Sequence, residues 1–191
     1  AQARLLLRFR FDTRHLRAAK LTGVFEAAKT ASDEVAPPDL ERWHTPHSRC
    51  NELHEEELAA QGYTILARAA EAGPDLFAKR VGGLFLFLQG HPEYDALSLQ
   101  HEYMRDIARY LAGERETYPA IPASYFDATT EDILVNFERR ARSERKAELA
   151  AELPGLTLRP SVPAGGAATA MFRSWLEFLG EEARALPSES L

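Results

Sequence analysis

The spacing of apolar and polar positions predicts short strands in the first half of the chain and amphipathic helices in the second. Residues 20–26 (KLTGVFE) set β-type side chains around a glycine, and residues 63–68 (YTILAR) alternate in polarity as a half-buried strand does. Between them, Asn51 is a candidate cap for a helix over 53–60 that Gly62 ends. Residues 75–80 (DLFAKR) and 84–88 (LFLFL) predict two strands joined by a turn at Gly82 and Gly83. The second is apolar on both faces, the pattern of a central strand covered by helices.

After that strand, Leu99, Tyr103, Met104, Ile107, Ala108 and Leu111 fall on one helical face, with Glu102, Arg105, Asp106 and Arg109 mostly on the other. Gly113 ends this helix. Residues 119–126, rich in proline and aromatic side chains, predict an ordered loop, and 130–149 a helix. Prolines and glycines interrupt the pattern over 153–166 before a last helix at 167–186, which is expected to turn Met171, Trp175, Phe178 and Leu179 inward. No internal repeat is visible. Strands alternating with helices predict an α/β domain with a mostly parallel sheet flanked by helices. The strands are too few for a complete doubly wound fold, which suggests a fragment.

At 191 residues, 45% of them hydrophobic, the chain is long enough for one domain with a single core. A net charge of −6 and a pI near 5.6 argue against gripping a nucleic-acid backbone. The basic run over 139–146 is broken by Glu144 and reads as a solvated helix face. No apolar run is long enough to span a bilayer, and the start has no signal-peptide pattern, so no membrane association and a cytoplasmic location are expected. The single cysteine, Cys50, precludes an internal disulfide. The Arg-rich opening stretch has no clear period and suggests that sequence is missing upstream.

The segment QGHPEYD at 89–95 follows the apolar strand, where ligands of open α/β sheets collect. Pro92 pushes His91 toward extended backbone, in which residues two apart point the same way. His91 and Glu93 then face one pocket, where the carboxylate orients the imidazole and stabilises its protonated form. The plainer reading of a His-x-Glu in a loop is a surface pair. A second cluster, PHSRCNEL at 46–53, offers Cys50 as a nucleophile with His47 or His91 as base, or else a loop with an incidental cysteine. His15, His44, His54 and His101 show no metal-ligand spacing, so no metal is expected. His101 and Glu102 read as helix surface, and Gly82 and Gly83 as a turn rather than a phosphate loop.

These two clusters, with KLTGVFE from Lys20, the EYMRD helix from Glu102 and YF at Tyr125, resemble the homoserine O-acyltransferases, the homoserine O-succinyltransferase or acetyltransferase family. The resemblance covers about residues 18–127, taken as the core of a single domain over 1–191, and returns as FRSWLEFL from Phe172; a helical tail at 128–191 departs from it over much of its length. It implies a class I glutamine-amidotransferase-like fold, here incomplete at its N-terminus. It also implies His91 as catalytic base, Glu93 as its partner, and Lys20, Ser48 and Arg105 as residues lining the substrate site. Arg105 suits a carboxylate such as that of homoserine, and Ser48 offers a small orienting hydroxyl.

The family reaction is ping-pong acyl transfer. A cysteine takes the acyl group from acyl-CoA, and the hydroxyl of L-homoserine attacks the thioester. No cofactor is expected, acyl-CoA being a co-substrate, and the resemblance implies a homodimer. The nucleophile is expected in a Cys-Trp-Gly-type elbow upstream of Ala1, not at Cys50. Competing readings are a glutamine amidotransferase or γ-glutamyl hydrolase, which pair a cysteine elbow with His-x-Glu, and a non-catalytic fragment of the fold.

Overall fold

The computed structural model describes residues 14–31, 40–153 and 166–185. The expected upstream elbow, most of the Arg-rich opening and most of the interrupted stretch at 153–166 lie outside them. Strands β1 (His15–Lys29), β2 (Arg42–Glu52), β3 (Thr64–Ala69), β4 (Gly73–Arg80) and β5 (Leu84–Leu88) form one sheet in the order β2-β1-β3-β4-β5. Helices α1 (Glu55–Ala60), α2 (Ser98–Leu111), α3 (Ala128–Glu144) and α4 (Gly166–Ala185) surround it, with a 3-10 turn at Ala147–Glu152.

Every strand pairing in this sheet is antiparallel, which corrects the expected parallel sheet. The connections explain it. Residues 70–72 and 81–83 are tight turns, and a parallel neighbour would need a crossover of roughly a dozen residues or more. The one parallel pairing among the described residues is an isolated bridge between Gly23 and Ala123. The antiparallel sheet does not confirm the class I glutamine-amidotransferase-like arrangement.

Strand β2 falls where the sequence suggested a loop and a helix cap. Pro46 hides it, because proline cannot donate to a ladder, but β2 is an edge strand and tolerates one. Asn51 lies within the strand, and His54 rather than Asn51 precedes α1. Strand β5 also differs from expectation: it is the opposite edge of the sheet, with half-buried side chains. Its two apolar faces do have partners. Leu84 and Leu86 join the cluster under Met171 and Phe178 of α4, while Phe87 stacks on Phe77 at 5.3 Å beside Tyr63 and Leu58.

Helix α2 follows its predicted face through Leu99, Tyr103, Ile107 and Leu111, which pack with Val24, Phe126 and Leu134. Asp106 departs from it: expected outside, it is buried. In α4 the inward stripe is Met171, Ser174 and Phe178, whereas Trp175 and Leu179 are exposed, contrary to expectation. The loop at 119–126 is ordered as predicted because it crosses Gly23. The Val24 amide donates to the Ala123 carbonyl (2.9 Å) and the Ala123 amide to the Thr22 carbonyl (3.0 Å). A Cβ on Gly23, whose φ is 148°, would lie 2.5 Å from that carbonyl oxygen, so glycine permits the crossing.

Candidate functional site

The loop after β5 is fixed from three sides before any of its side chains acts. The Gln89 amide donates to the Asp75 carbonyl (2.8 Å), the His91 amide to the Pro46 carbonyl (2.7 Å), and the Tyr94 amide back to His91 (3.1 Å). Gly90 lies directly on a buried polar group. A Cβ there would come within 2.2 Å of Thr45 Cγ2, 2.7 Å of Asp75 Oδ1 and 2.9 Å of His47 Nε2. Asp95 then ties the loop to the start of α2, accepting from the Leu97 amide (2.9 Å) and the Ser98 hydroxyl (2.8 Å). These bonds hold the Asp95 carboxyl below its ordinary pKa, the Ser98 bond being the largest cause.

Within this frame His91 Nδ1 lies 2.8 Å from Glu93 Oε1. An imidazole N–H facing a carboxylate donates to it, which leaves Nε2 as the nitrogen turned away from Glu93. The His91 ring stacks on Tyr94 with centroids 4.4 Å apart and planes 17° from parallel. The Tyr94 hydroxyl in turn donates to Glu102 Oε1 (3.0 Å).

Glu102 is the hub that the sequence reading missed. It also accepts from the Ser48 hydroxyl, and Lys20 Nζ lies 3.5 Å from its Oε2. Arg105 Nη2 approaches its other oxygen at 4.0 Å. Lys20 bridges to Asp106 Oδ2 at 3.1 Å, an oxygen that Arg115 also reaches at 3.0 Å. Burial works to raise the Glu102 carboxyl, but the Ser48 hydrogen bond, the Lys20 charge and the Tyr94 hydrogen bond outweigh it and hold it below the ordinary glutamate value. Tyr94 moves the other way: burial first, then its bond to Glu102, push its phenol up to about 12, so it stays a donor.

Lys20, Ser48 and Arg105 therefore converge on one carboxylate, and Tyr94 connects that carboxylate to the His91–Glu93 pair. A weak sequence signal existed in the i,i+4 acids Glu102 and Asp106 on one helical face. Arg105 lies on the same helix, but Lys20 and Arg115 come from β1 and from the loop after α2, so periodicity alone could not assign those two.

The PHSR cluster divides between two environments. His47 is fully buried against Phe25, with Nε2 3.2 Å from Asp75 Oδ1, close but not aligned as a hydrogen bond. Asp75 Oδ2 accepts from Trp43 Nε1 (3.1 Å) and the Thr45 hydroxyl (3.0 Å). Arg49 Nε donates to His47 Nδ1 at 3.4 Å, and its guanidinium also caps the Asn51 and Ala72 carbonyls. Burial foremost, and then the charge of Arg17, lower the Arg49 pKa to about 10. Cys50 is exposed and free, and strand alternation puts it on the face opposite His47, so the proposed Cys50–His47 couple does not form.

Comparison with known proteins adds an independent line. The family described as homoserine O-succinyltransferase matches residues 1–184. The chain is 54% identical over 164 residues to a homoserine O-succinyltransferase of Bradyrhizobium japonicum, covering 86% of this chain and 50% of that protein. The enzyme of the same name from Rhodopseudomonas palustris is 46% identical over 166 residues, covering 85% and 50%. The one from Methylorubrum extorquens is 43% identical over 138 residues, covering 71% and 42%. The chain thus spans about half the length of the curated relatives it matches.

Proposed function

Because the chain belongs to the homoserine O-succinyltransferase family, we propose that it carries the homoserine-binding and general-base half of an enzyme that moves an acyl group from acyl-CoA to the hydroxyl of L-homoserine. The observation that carries this reading is the continuous link from His91 through stacked Tyr94 to Glu102. It joins a proton-transfer pair to a pocket of mixed charge.

Homoserine is a zwitterion with one reactive hydroxyl. Glu102 supplies the anion for its ammonium group, displacing the bonds it now makes with Ser48 and Lys20. Arg105, more than half exposed, supplies a planar fork for its carboxylate. Lys20 and Ser48, which hold Glu102 before homoserine binds, line the site.

The reading assigns the acyl-carrying thiol to a cysteine outside the 191 residues, as the resemblance implies, since Cys50 lies on the strand face opposite His47. His91 takes the proton of the enzyme thiol, the thiolate attacks the acyl carbon, the bond to CoA sulfur breaks, and CoA leaves with that proton from His91. The homoserine hydroxyl then attacks the thioester and gives its proton to His91 Nε2, and the enzyme thiolate departs. Glu93 keeps the ring oriented through both steps and stabilises its charged form. The donor is succinyl-CoA by the name the relatives carry, with acetyl-CoA the alternative. The location is the cytoplasm, where both substrates are soluble; no helix among the described residues is long and apolar enough to cross a membrane.

The test is homoserine-dependent CoA release from succinyl-CoA and acetyl-CoA, measured on the chain continued upstream through the elbow and on its His91→Ala variant. Release that needs homoserine and falls by about 10²-fold or more in the variant supports the reading. Release indifferent to homoserine, or unchanged in the variant, refutes it.

A further inference from the structure

The start of β1 and the beginning of α1 bring together three side chains that no periodicity connects. Register pairs His15 with Glu52 at the end of β2, and the chain then turns through His54 into α1. As a result His15 Nε2 lies 3.0 Å from both carboxylate oxygens of Glu57, 42 residues further on. The His15 and His54 rings stack with centroids 4.1 Å apart and planes 11° from parallel. One ligand atom from each of His15, His54 and Glu57 fits within a mutual separation of 4.8 Å.

We propose that His15, His54 and Glu57 form a binding site for a divalent transition metal, best matched to zinc. Two imidazole nitrogens and one carboxylate oxygen are a donor set that Zn²⁺ takes, whereas Mg²⁺ and Ca²⁺ prefer oxygen alone. Metal–ligand bonds of about 2.0–2.2 Å require the three atoms to stand roughly 3.5 Å apart around a tetrahedral centre. The widest separation, at most 4.8 Å, therefore has to close by about 1.3 Å or less. Rotation of the two rings out of their stack, which half-exposed side chains permit, turns both lone pairs onto the ion.

Glu52 Oε1, 3.6 Å from His54 Nε2, is positioned to orient that imidazole or to complete the shell, with water in any remaining position. The surroundings favour a cation. The adjoining groove is lined by Glu52, Glu55, Glu56 and Glu71 against the single positive charge of Arg17. The bound ion would act as a clip, tying the first residues of β1 to α1. It shares no residue with the cluster around Glu102.

The experiment titrates the full chain with Zn²⁺ against a chromophoric chelator and records the visible spectrum of the Co²⁺ form. The same measurements are made on His15→Ala, His54→Ala, Glu57→Gln and Cys50→Ser. Expected are one equivalent of tightly held zinc, a rise in melting temperature with zinc, and a cobalt d–d band without thiolate charge transfer. Affinity should fall at least tenfold in each histidine variant and in Glu57→Gln, and stay unchanged in Cys50→Ser. Glu57→Gln keeps a hydrogen-bond acceptor for His15, so it separates loss of the ion from loss of the fold. Absence of stoichiometric zinc, binding that survives Glu57→Gln, or binding that depends on Cys50 would overturn the proposal.

Discussion

His91 and Glu93 meet at 2.8 Å with side chains 35% and 66% exposed, whereas His47 and Asp75 approach to 3.2 Å with side chains 0% and 2% exposed. Only Gly90 separates the second pair from the loop that carries the first. The two use the same chemical groups for opposite ends. A histidine proposed to exchange protons with a substrate has to be reachable from solvent, and the His91 side chain is partly exposed. A histidine fully enclosed by Phe25, Asp75 and Arg49 has no route to a reactant, and its polar atoms instead fix the height at which the loop runs.

This division is sharpest in a pair of substitutions. In the complete enzyme, His91→Ala should lower homoserine-dependent CoA release by about 10³-fold, equivalent to roughly 4 kcal/mol, and leave the melting temperature nearly unchanged. His47→Ala should do the reverse in kind. Removing it leaves a cavity beside Phe25 and takes the nearby imidazole from the buried Asp75 carboxylate, which should destabilise the chain by about 3 kcal/mol, read as a shifted denaturant midpoint. If the exposed pair proves the more destabilising to remove, the comparison fails.

Gly90→Ala probes the contact between the two regions. Its Cβ has no room beside Thr45, so a loss of about 2 kcal/mol is expected, together with a fall in turnover as the His91 loop lifts. Equal stability and turnover in the variant would show that the two pairs are independent.

The smallest effect concerns Glu102. Glu102→Gln should raise the KM for homoserine about tenfold, about 1.4 kcal/mol, with less change in kcat. Its pKa in the folded chain lies below the ordinary value, so the stability this carboxylate contributes is present above the ordinary glutamate range and is lost as pH falls through the depressed value. Stability of the native chain and of Glu102→Gln, followed against pH, should accordingly differ near neutrality and converge on the acid limb.

Much of this was legible in one dimension, though unevenly. Residues 63–68, 75–80 and 84–88 alternate or run apolar strongly enough to announce β3, β4 and β5, and Gly113 ends α2 where its sign in the sequence stands. Strand β2 was not legible, because Pro46 argues against a strand until the edge position is known. Glu102 was passed over because an acid on the polar side of an amphipathic helix is ordinarily solvated. It became a hub when β1 delivered Lys20 and β2 delivered Ser48. Trp175 and Leu179 were expected inward because they are apolar, yet α4 buries a narrower stripe around Met171 and Phe178.

The sequence by itself placed His91 and Glu93 within reach of each other, because the short proline-stiffened segment between them fixes their geometry locally. Only the tertiary structure decided the rest. Strand direction depends on turn lengths and hydrogen-bond pairing rather than on alternation, so an antiparallel sheet and a parallel one can share a hydrophobic pattern. The Glu102 cluster and the His15–His54–Glu57 cluster depend on charges brought together from distant positions, and Coulomb attraction acts over distance in space, whatever the distance along the chain.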